Sequence, residues 1–172
     1  MKEILEKIAD VKDYPKKGII FKDLTPLLQD KKAYSLAIDA ITKAIKSYFP
    51  NATHIVSPEA RGFWFGCPAA INAGLGFIPV RKLGKLPRET KTISYVLEYG
   101  TENLCMHSDA LKKGDTAVII DDVLATGGTL AAIEELVKQT GATVAGSVIL
   151  LELSFLNGKA AAKEKVVSII TI

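Results

Sequence analysis

Hydrophobic and polar positions along the chain follow two periods, one typical of helices and one typical of buried strands. Residues 1–11 place their apolar side chains on one helical face, which predicts an amphipathic helix and not a secretion signal. The same spacing predicts a helix over 31–49, which Pro50 ends. Two further helices are expected, one running through Cys67 to Asn72 and one from Thr129 to about Gln139.

Short apolar runs between these helices predict strands. Their expected ranges are 54–56, 77–80, 93–98, 104–107, 116–120, 144–151 and 166–172. Strands and helices alternate, and the best strands are continuously apolar, which is typical of a parallel sheet covered by helices on both faces. The expected fold class is therefore α/β, with a central, mostly parallel β-sheet flanked by helices. Such sheets bind ligands beyond the carboxyl ends of their strands.

One stretch between the predicted strands has no apolar period. Residues 81–92, RKLGKLPRETKT, are basic and contain Gly84 and Pro87, so they predict a long loop. Long loops inside compact domains are more often functional than not. We therefore expect this loop to take part in the chemistry of the protein.

The composition excludes several classes of protein. The chain has 172 residues and a formal charge of +3, with 48% apolar and 24% charged residues, close to an ordinary globular domain. One domain spanning 1–172 is expected at this length. The mild charge and the short chain leave little room for a nucleic-acid-binding module. No run of 18 apolar residues occurs, so neither a membrane span nor a membrane partner is expected.

Cysteine and histidine usage gives no sign of a metal cage or a disulfide framework. Cys67 and Cys105 form no CxxC pair, and His54 and His107 lie far apart with no HExxH motif. Two isolated cysteines fit a reducing compartment. We therefore expect a cytoplasmic protein without a structural metal.

The strongest local signal is the segment VIIDDVLATGGT, residues 118–129. A buried strand brings Asp121 and Asp122 to its carboxyl end, and a Gly/Thr turn then opens a helix. Glycines let a backbone approach a ligand closely, and the free N–H groups of a helix start attract anions. The turn consists of Ala125, Thr126, Gly127, Gly128 and Thr129, the last of which is also a candidate N-cap. This pattern predicts a phosphate in the turn and diol hydroxyls on the acids. A plain tight turn with solvated acids is the alternative.

Other phosphate-binding and nucleophile motifs are absent, since the chain contains no GxxxxGK[ST], no GxGxxG and no GxSxG. Segment 118–129 instead resembles the signature by which the type I phosphoribosyltransferases bind 5-phosphoribosyl-1-pyrophosphate (PRPP). The resemblance implies that Asp121 and Asp122 hold the ribose 2′- and 3′-hydroxyls. It also implies that the Gly/Thr turn binds the 5′-phosphate.

Five segments extend the resemblance to the adenine-using members of this family. They are 14–26, 59–63, 79–87, 95–100 and 152–159. The implied fold has a small N-terminal base-binding hood over approximately 1–30 and a flexible catalytic loop over approximately 81–97, in a two-fold homodimer. Two departures occur: Lys159 stands where arginine is common, and Ser57-Pro58 stands where a glycine is frequent.

The resemblance implies a reaction that joins adenine N9 to C1′ of PRPP and yields AMP and pyrophosphate. Magnesium (Mg2+) should bridge pyrophosphate and ribose oxygens, held by the substrate and water and not by a protein cage. The departing pyrophosphate needs cations, because negative charge develops on it. The implied cations are Arg61, Arg81, Lys82 and Lys85, of which Arg61 and Lys85 are expected to be catalytic.

The purine ring needs a group that manages its proton. The resemblance places Glu98 beside purine N7, where it stabilises the proton shift that makes N9 nucleophilic. Backbone groups of Ile20 are expected to read the adenine amine. Phe21 and Leu124 are expected to flank the base, with Tyr99 also among the substrate-binding residues.

The residues alone also allow other interpretations. Each isolated lysine or arginine could be a solvated surface charge, Glu98 an exposed strand residue and Phe21 an ordinary core residue. At the level of function, the alternatives are a phosphoribosyltransferase for another purine and a PRPP-binding regulatory protein without catalysis. The presence of Glu98 and of the cations at 81–85 argues against the regulatory protein.

Overall fold

A seven-stranded sheet forms the centre of the structure. The computed structural model describes residues 1–97 and 100–172. Its strands are β1 (Ala9–Lys12), β2 (Ile20–Asp23), β3 (His54–Pro58), β4 (Gly76–Lys82), β5 (Thr90–Leu97), β6 (Gly100–His107), β7 (Thr116–Leu124), β8 (Thr143–Glu152) and β9 (Val166–Thr171). The central sheet has the order β5-β6-β4-β3-β7-β8-β9. Strands β4, β3, β7, β8 and β9 are parallel, whereas β6 and β5 are added antiparallel at one edge.

Helices cover both faces of this sheet. They are α1 (Lys2–Leu5), α2 (Thr25–Gln29), α3 (Lys31–Tyr48), α4 (Arg61–Ala73) and α5 (Gly128–Lys138). Successive residues of β7 point to opposite faces, so Val118 packs in the core under α3 and α4, while Ile119 packs in the core under α5. Burial on both faces explains why this strand is continuously apolar, and the expected α/β class is confirmed.

The prediction of an amphipathic helix over residues 1–11 is wrong for the second half of that range. Helix α1 ends at Leu5, and the chain then forms β1, which pairs antiparallel with β2 from Ala9↔Asp23 to Lys12↔Ile20. Val11 is 39% exposed on this two-stranded sheet and does not extend a helical face. The backbone hydrogen bonds that β2 supplies override the local helical spacing, because strand formation depends strongly on the partner.

The long loop expected over 81–92 is shorter than predicted. Strand β4 continues to Lys82, and β5 already begins at Thr90, so only 83–89 connect the two strands. Strand β5 pairs with β6 from Thr90↔His107 to Leu97↔Gly100. The polar start of β5 carries no apolar signal because this is an edge strand with one neighbour. No helix in the described ranges is long and apolar enough to cross a membrane.

Candidate active site

The turn between β7 and α5 encloses a small cavity of about 170 Å³. Its lining is Asp121, Val123, Leu124, Ala125, Thr126, Gly127, Gly128, Thr129, Leu130 and Ile149. Cavities that enclose whole small ligands measure roughly 300–1,000 Å³, so this one suits a single group such as a phosphate. The predicted turn therefore forms a cavity of its own at the start of α5.

Gly127, and not Thr129, is the N-cap of α5. Its φ is +84°, a backbone conformation that side-chain-bearing residues rarely adopt, and the helix begins at Gly128. The Thr129 hydroxyl is thereby free of a capping role. The first N–H groups of a helix have no partner within it, so the turn presents donors to an anion.

Asp122 and Arg61 form an ion pair at the carboxyl end of β7. The Arg61 Nε group donates to Asp122 Oδ2, and the Asp122 residue is only 6% exposed. A second guanidinium nitrogen donates to the Lys22 carbonyl oxygen at 3.3 Å, and the guanidinium carbon lies 4.8 Å from the centre of the Phe21 ring. Arg61, at the start of α4, thus joins strand β2 to the acid pair. Nothing in the local sequence around Arg61 identifies these partners.

Asp121 has a different electrostatic environment from its neighbour. Burial and the negative charge of Asp122 raise the pKa of the Asp121 carboxyl well above its usual range. The backbone N–H of Asp122 donates to Asp121 Oδ1 at 2.9 Å and opposes this increase. A methyl group built on Gly62 would lie 3.0 Å from the same oxygen, so the start of α4 closely approaches the acid pair.

Arg81 and Lys82, the predicted cations at the end of β4, are paired with carboxylates. Arg81 Nε donates to Glu59 Oε2 at 2.5 Å, and Lys82 Nζ donates to Glu102 Oε1 at 2.9 Å. Burial opposes ionisation of Glu59, yet hydrogen bonds from Arg81 and from the Lys82 N–H outweigh it and hold the pKa of Glu59 below its usual value. Lys85 is exposed, and within the described ranges its ammonium has neither an ion-pair nor a hydrogen-bond partner.

A hydroxyl contact links the β5–β6 hairpin to the Gly/Thr turn. The hydroxyls of Tyr95 and Thr129 are 3.2 Å apart, and the Tyr95 hydroxyl also donates to Glu102 Oε2 at 3.3 Å. Burial raises the pKa of Tyr95. Sequence reasoning assigned no role to Tyr95 or Glu102, although Tyr95 opens one of the segments that carry the family resemblance.

The residues predicted to contact the base lie on β2 and β7. Ile20 is 51% exposed, and Phe21 is half-buried and packs edge-on against Tyr14 with ring centres 5.1 Å apart. Leu124 is only 3% exposed because its side chain packs in the core under α5 as well as lining the cavity.

Two of the predicted residues, Glu98 and Tyr99, lie outside the described residues. In the part of the chain that the structure does describe, no group of three or more His, Cys, Asp and Glu side chains could hold a metal ion.

Comparison with known proteins connects this geometry to a class of enzyme. The family model of the phosphoribosyl transferase domain matches residues 24–171. The α/β fold and the acid pair followed by a Gly/Thr turn are therefore those of a phosphoribosyltransferase.

Individual relatives show which kind of phosphoribosyltransferase this chain is most similar to. An adenine phosphoribosyltransferase of Kosmotoga olearia is 52% identical over 149 residues, which cover 87% of this chain and 86% of that protein. The crystal structure of the enzyme from Thermoanaerobacter pseudethanolicus has 46% identity and a TM-score of 0.95, with 99% of both chains covered. The Saccharomyces cerevisiae enzyme, complexed with adenine and an imino-altritol bisphosphate, has 35% identity and a TM-score of 0.94, with 98% of this chain and 97% of that chain covered. The chain belongs to the adenine phosphoribosyltransferase family.

Proposed function

We propose that this protein transfers the 5-phosphoribosyl group of PRPP to N9 of adenine and releases AMP and pyrophosphate. The observation that carries the proposal is the acid pair Asp121-Asp122 placed directly before an anion-binding turn at the start of α5. The relatives at about half identity, named adenine phosphoribosyltransferases, support adenine as the acceptor.

The ribose 5-phosphate half of PRPP fits the β7–α5 connection. Its 5′-phosphate would accept hydrogen bonds from the open N–H groups of the turn and from the hydroxyls of Thr126 and Thr129. Its 2′- and 3′-hydroxyls would donate to Asp121 and Asp122. The Arg61 guanidinium pairs with Asp122 and so holds this carboxylate in place beside the proposed ribose position.

The pyrophosphate half would lie toward the cations at the end of β4 and in the 83–89 connection. Breaking the C1′–O bond places negative charge on the leaving group, and fixed cations stabilise it. Lys85 is exposed and has no carboxylate partner in the described part of the chain, so it can contact the pyrophosphate directly. Arg81 and Lys82 would first have to break their ion pairs with Glu59 and Glu102. The contacts of Arg61 favour a role beside the base and the ribose acids over a direct contact with pyrophosphate.

A magnesium ion fits this donor set as part of the substrate complex. Magnesium keeps several waters and binds substrate phosphates, which matches a site whose described residues include no cluster of side chains able to hold the ion by themselves. When bound, it neutralises charge on the departing pyrophosphate.

The acceptor side is assigned from the family resemblance. Glu98 is proposed to stabilise the proton shift at the purine, and backbone groups of Ile20 to accept from the adenine amine. An oxo purine would leave such an acceptor unpaired, which disfavours hypoxanthine and guanine.

We further propose that 1–172 is a single domain and that it forms a homodimer. Light scattering coupled to size-exclusion chromatography measures this oligomeric state directly.

The experiment is AMP formation from adenine and PRPP, with and without magnesium, beside hypoxanthine and guanine. Magnesium-dependent AMP with little product from the oxo purines is the expected result. Product from another base alone would mean that the protein uses PRPP as proposed but takes a different base as its acceptor. PRPP binding without turnover on any base would favour the regulatory interpretation.

A further inference from the structure

The Gly/Thr turn is backed by a second turn from the C-terminal part of the chain. This backing segment is the short 3-10 helix Gly158–Ala161. A methyl group built on Gly127 would lie 2.2 Å from the Gly158 carbonyl oxygen. A methyl group built on Gly158 would lie 2.1 Å from the Ala125 carbonyl oxygen. The two backbones are therefore in direct contact, and the backing segment packs directly behind the turn.

An ion pair fixes the backing segment to the central sheet. Lys159 Nζ lies 2.6 Å from Glu152 Oε2, and the Glu152 side chain is only 7% exposed. Glu152 is the last residue of β8, and the hydroxyl of Thr171 on β9 donates to the same carboxylate oxygen at 3.2 Å. The Leu153 N–H donates to the Leu124 carbonyl at 2.9 Å, so this end of β8 is also bonded to the strand that leads into the turn.

The buried position of Glu152 gives this ion pair more weight than a surface pair. Burial opposes ionisation, yet the contacts with the Lys159 ammonium and the Thr171 hydroxyl outweigh it and hold the pKa of Glu152 below its usual value. Exposed pairs contribute little, whereas a buried carboxylate that loses its partner is strongly disfavoured. Removal of either partner should therefore loosen the segment that carries Gly158.

We propose that Glu152 and Lys159 are positioning residues for the 5′-phosphate subsite, because their ion pair holds Gly158 against the backbone of Ala125 and Gly127. The inference rests on the proposed function, since the turn is assigned to the 5′-phosphate there. It goes beyond that function by assigning affinity for the phosphoribosyl group to two residues that do not line the cavity.

The test compares Glu152→Gln, Lys159→Met and Lys159→Arg with the unchanged protein. Calorimetry with ribose 5-phosphate measures the subsite directly, and steady-state kinetics separates KM for PRPP from KM for adenine. Glu152→Gln and Lys159→Met should each weaken ribose 5-phosphate and raise KM for PRPP by about tenfold, or about 1.4 kcal/mol. KM for adenine should stay unchanged. Lys159→Arg, which keeps the positive charge, should give the same affinity and the same KM for PRPP as the unchanged protein.

Lys163→Met is the matched control. Lys163 lies near the backing segment, and its ion pair with Glu135, at 3.4 Å, is exposed on both sides. This variant should bind ribose 5-phosphate like the unchanged protein. The double variant Glu152→Gln/Lys159→Met should bind ribose 5-phosphate about tenfold more weakly, as each single variant does, because both changes remove the same contact.

Two results would overturn the proposal. If Lys159→Met weakens ribose 5-phosphate and Glu152→Gln does not, Lys159 acts by itself on the phosphate. If neither variant changes ribose 5-phosphate binding, the ion pair does not position the turn. Thr171→Val, which removes one hydrogen bond and no charge, is the milder variant should the others fail to fold, and it should weaken binding about twofold. An absence of AMP formation by the unchanged protein would contradict the proposed function, whereas the ribose 5-phosphate measurements would still decide the positioning role.

Discussion

Arg61 is expected to be a major stabilising residue of the unliganded fold, and Arg61→Met tests this. Its guanidinium contacts Asp122, the Lys22 carbonyl and the face of Phe21, and so connects α4, β7 and β2. Methionine keeps much of the apolar stem and removes the charge. The variant therefore isolates what the guanidinium contributes.

The burial of the two side chains sets the expected loss in the free energy of unfolding. Removal of one partner of a buried ion pair costs roughly 3–5 kcal/mol, because the other charge stays buried alone. The Asp122 side chain is 8% exposed but that of Arg61 is 28% exposed, which favours the lower end of this range. The lost cation–π contact adds about 0.5–1 kcal/mol. We expect Arg61→Met to lower the free energy of unfolding by about 3–4 kcal/mol at pH 7.

Urea unfolding followed by circular dichroism measures this difference, with Arg88→Met as the control. Arg88 also pairs with a carboxylate at 2.5 Å, but the side chains of Arg88 and Asp109 are 58% and 66% exposed. Exposed pairs contribute little, so the control should unfold at the same urea concentration as the unchanged protein. A loss below about 1 kcal/mol for Arg61→Met, or equal losses for both variants, would refute the reasoning from burial.

Three further changes test the site. Asp121→Asn should raise the free energy of unfolding at pH 7, because a raised pKa means that the charged carboxylate disfavours folding. In urea unfolding this gain should shrink as the pH falls through that pKa, and PRPP binding should weaken at pH values above it. Tyr95→Phe removes the contact to Thr129 and should raise KM for PRPP about fivefold, the equivalent of one hydrogen bond, whereas Tyr48→Phe should not. Glu98→Ala should lower kcat by about 10²–10⁴-fold and leave PRPP affinity unchanged; an unchanged kcat would remove Glu98 from the mechanism.

The elements that sequence predicted well are those whose burial is set locally. Strand β7 is buried on both faces and is flanked by a glycine turn, so its position and its acids could be found without a structure. The predicted strand 93–98 overlaps β5, but the polar start of β5 at the sheet edge is missed because it carries no apolar signal. Strand β1 exists because β2 pairs with it, so it could not be placed from apolar spacing. The site divides in the same way. The Gly/Thr turn is a local motif, whereas the partners of Arg61 and Tyr95 come from distant elements.

These paired contacts bear on which anions the proposed site would accept. Arg61, Arg81 and Lys82 each have a carboxylate partner, on β7, before α4 and on β6 respectively. A single phosphate ion that meets one of these cations must compete with a carboxylate that the fold already holds in place. On the proposed assignment, a ligand with several linked phosphates would contact the exposed Lys85 and the Gly/Thr turn together, and each further contact would then form at high effective concentration. On this proposal the carboxylates would disfavour small anions more than PRPP, because a multidentate ligand gains the several contacts needed to displace them.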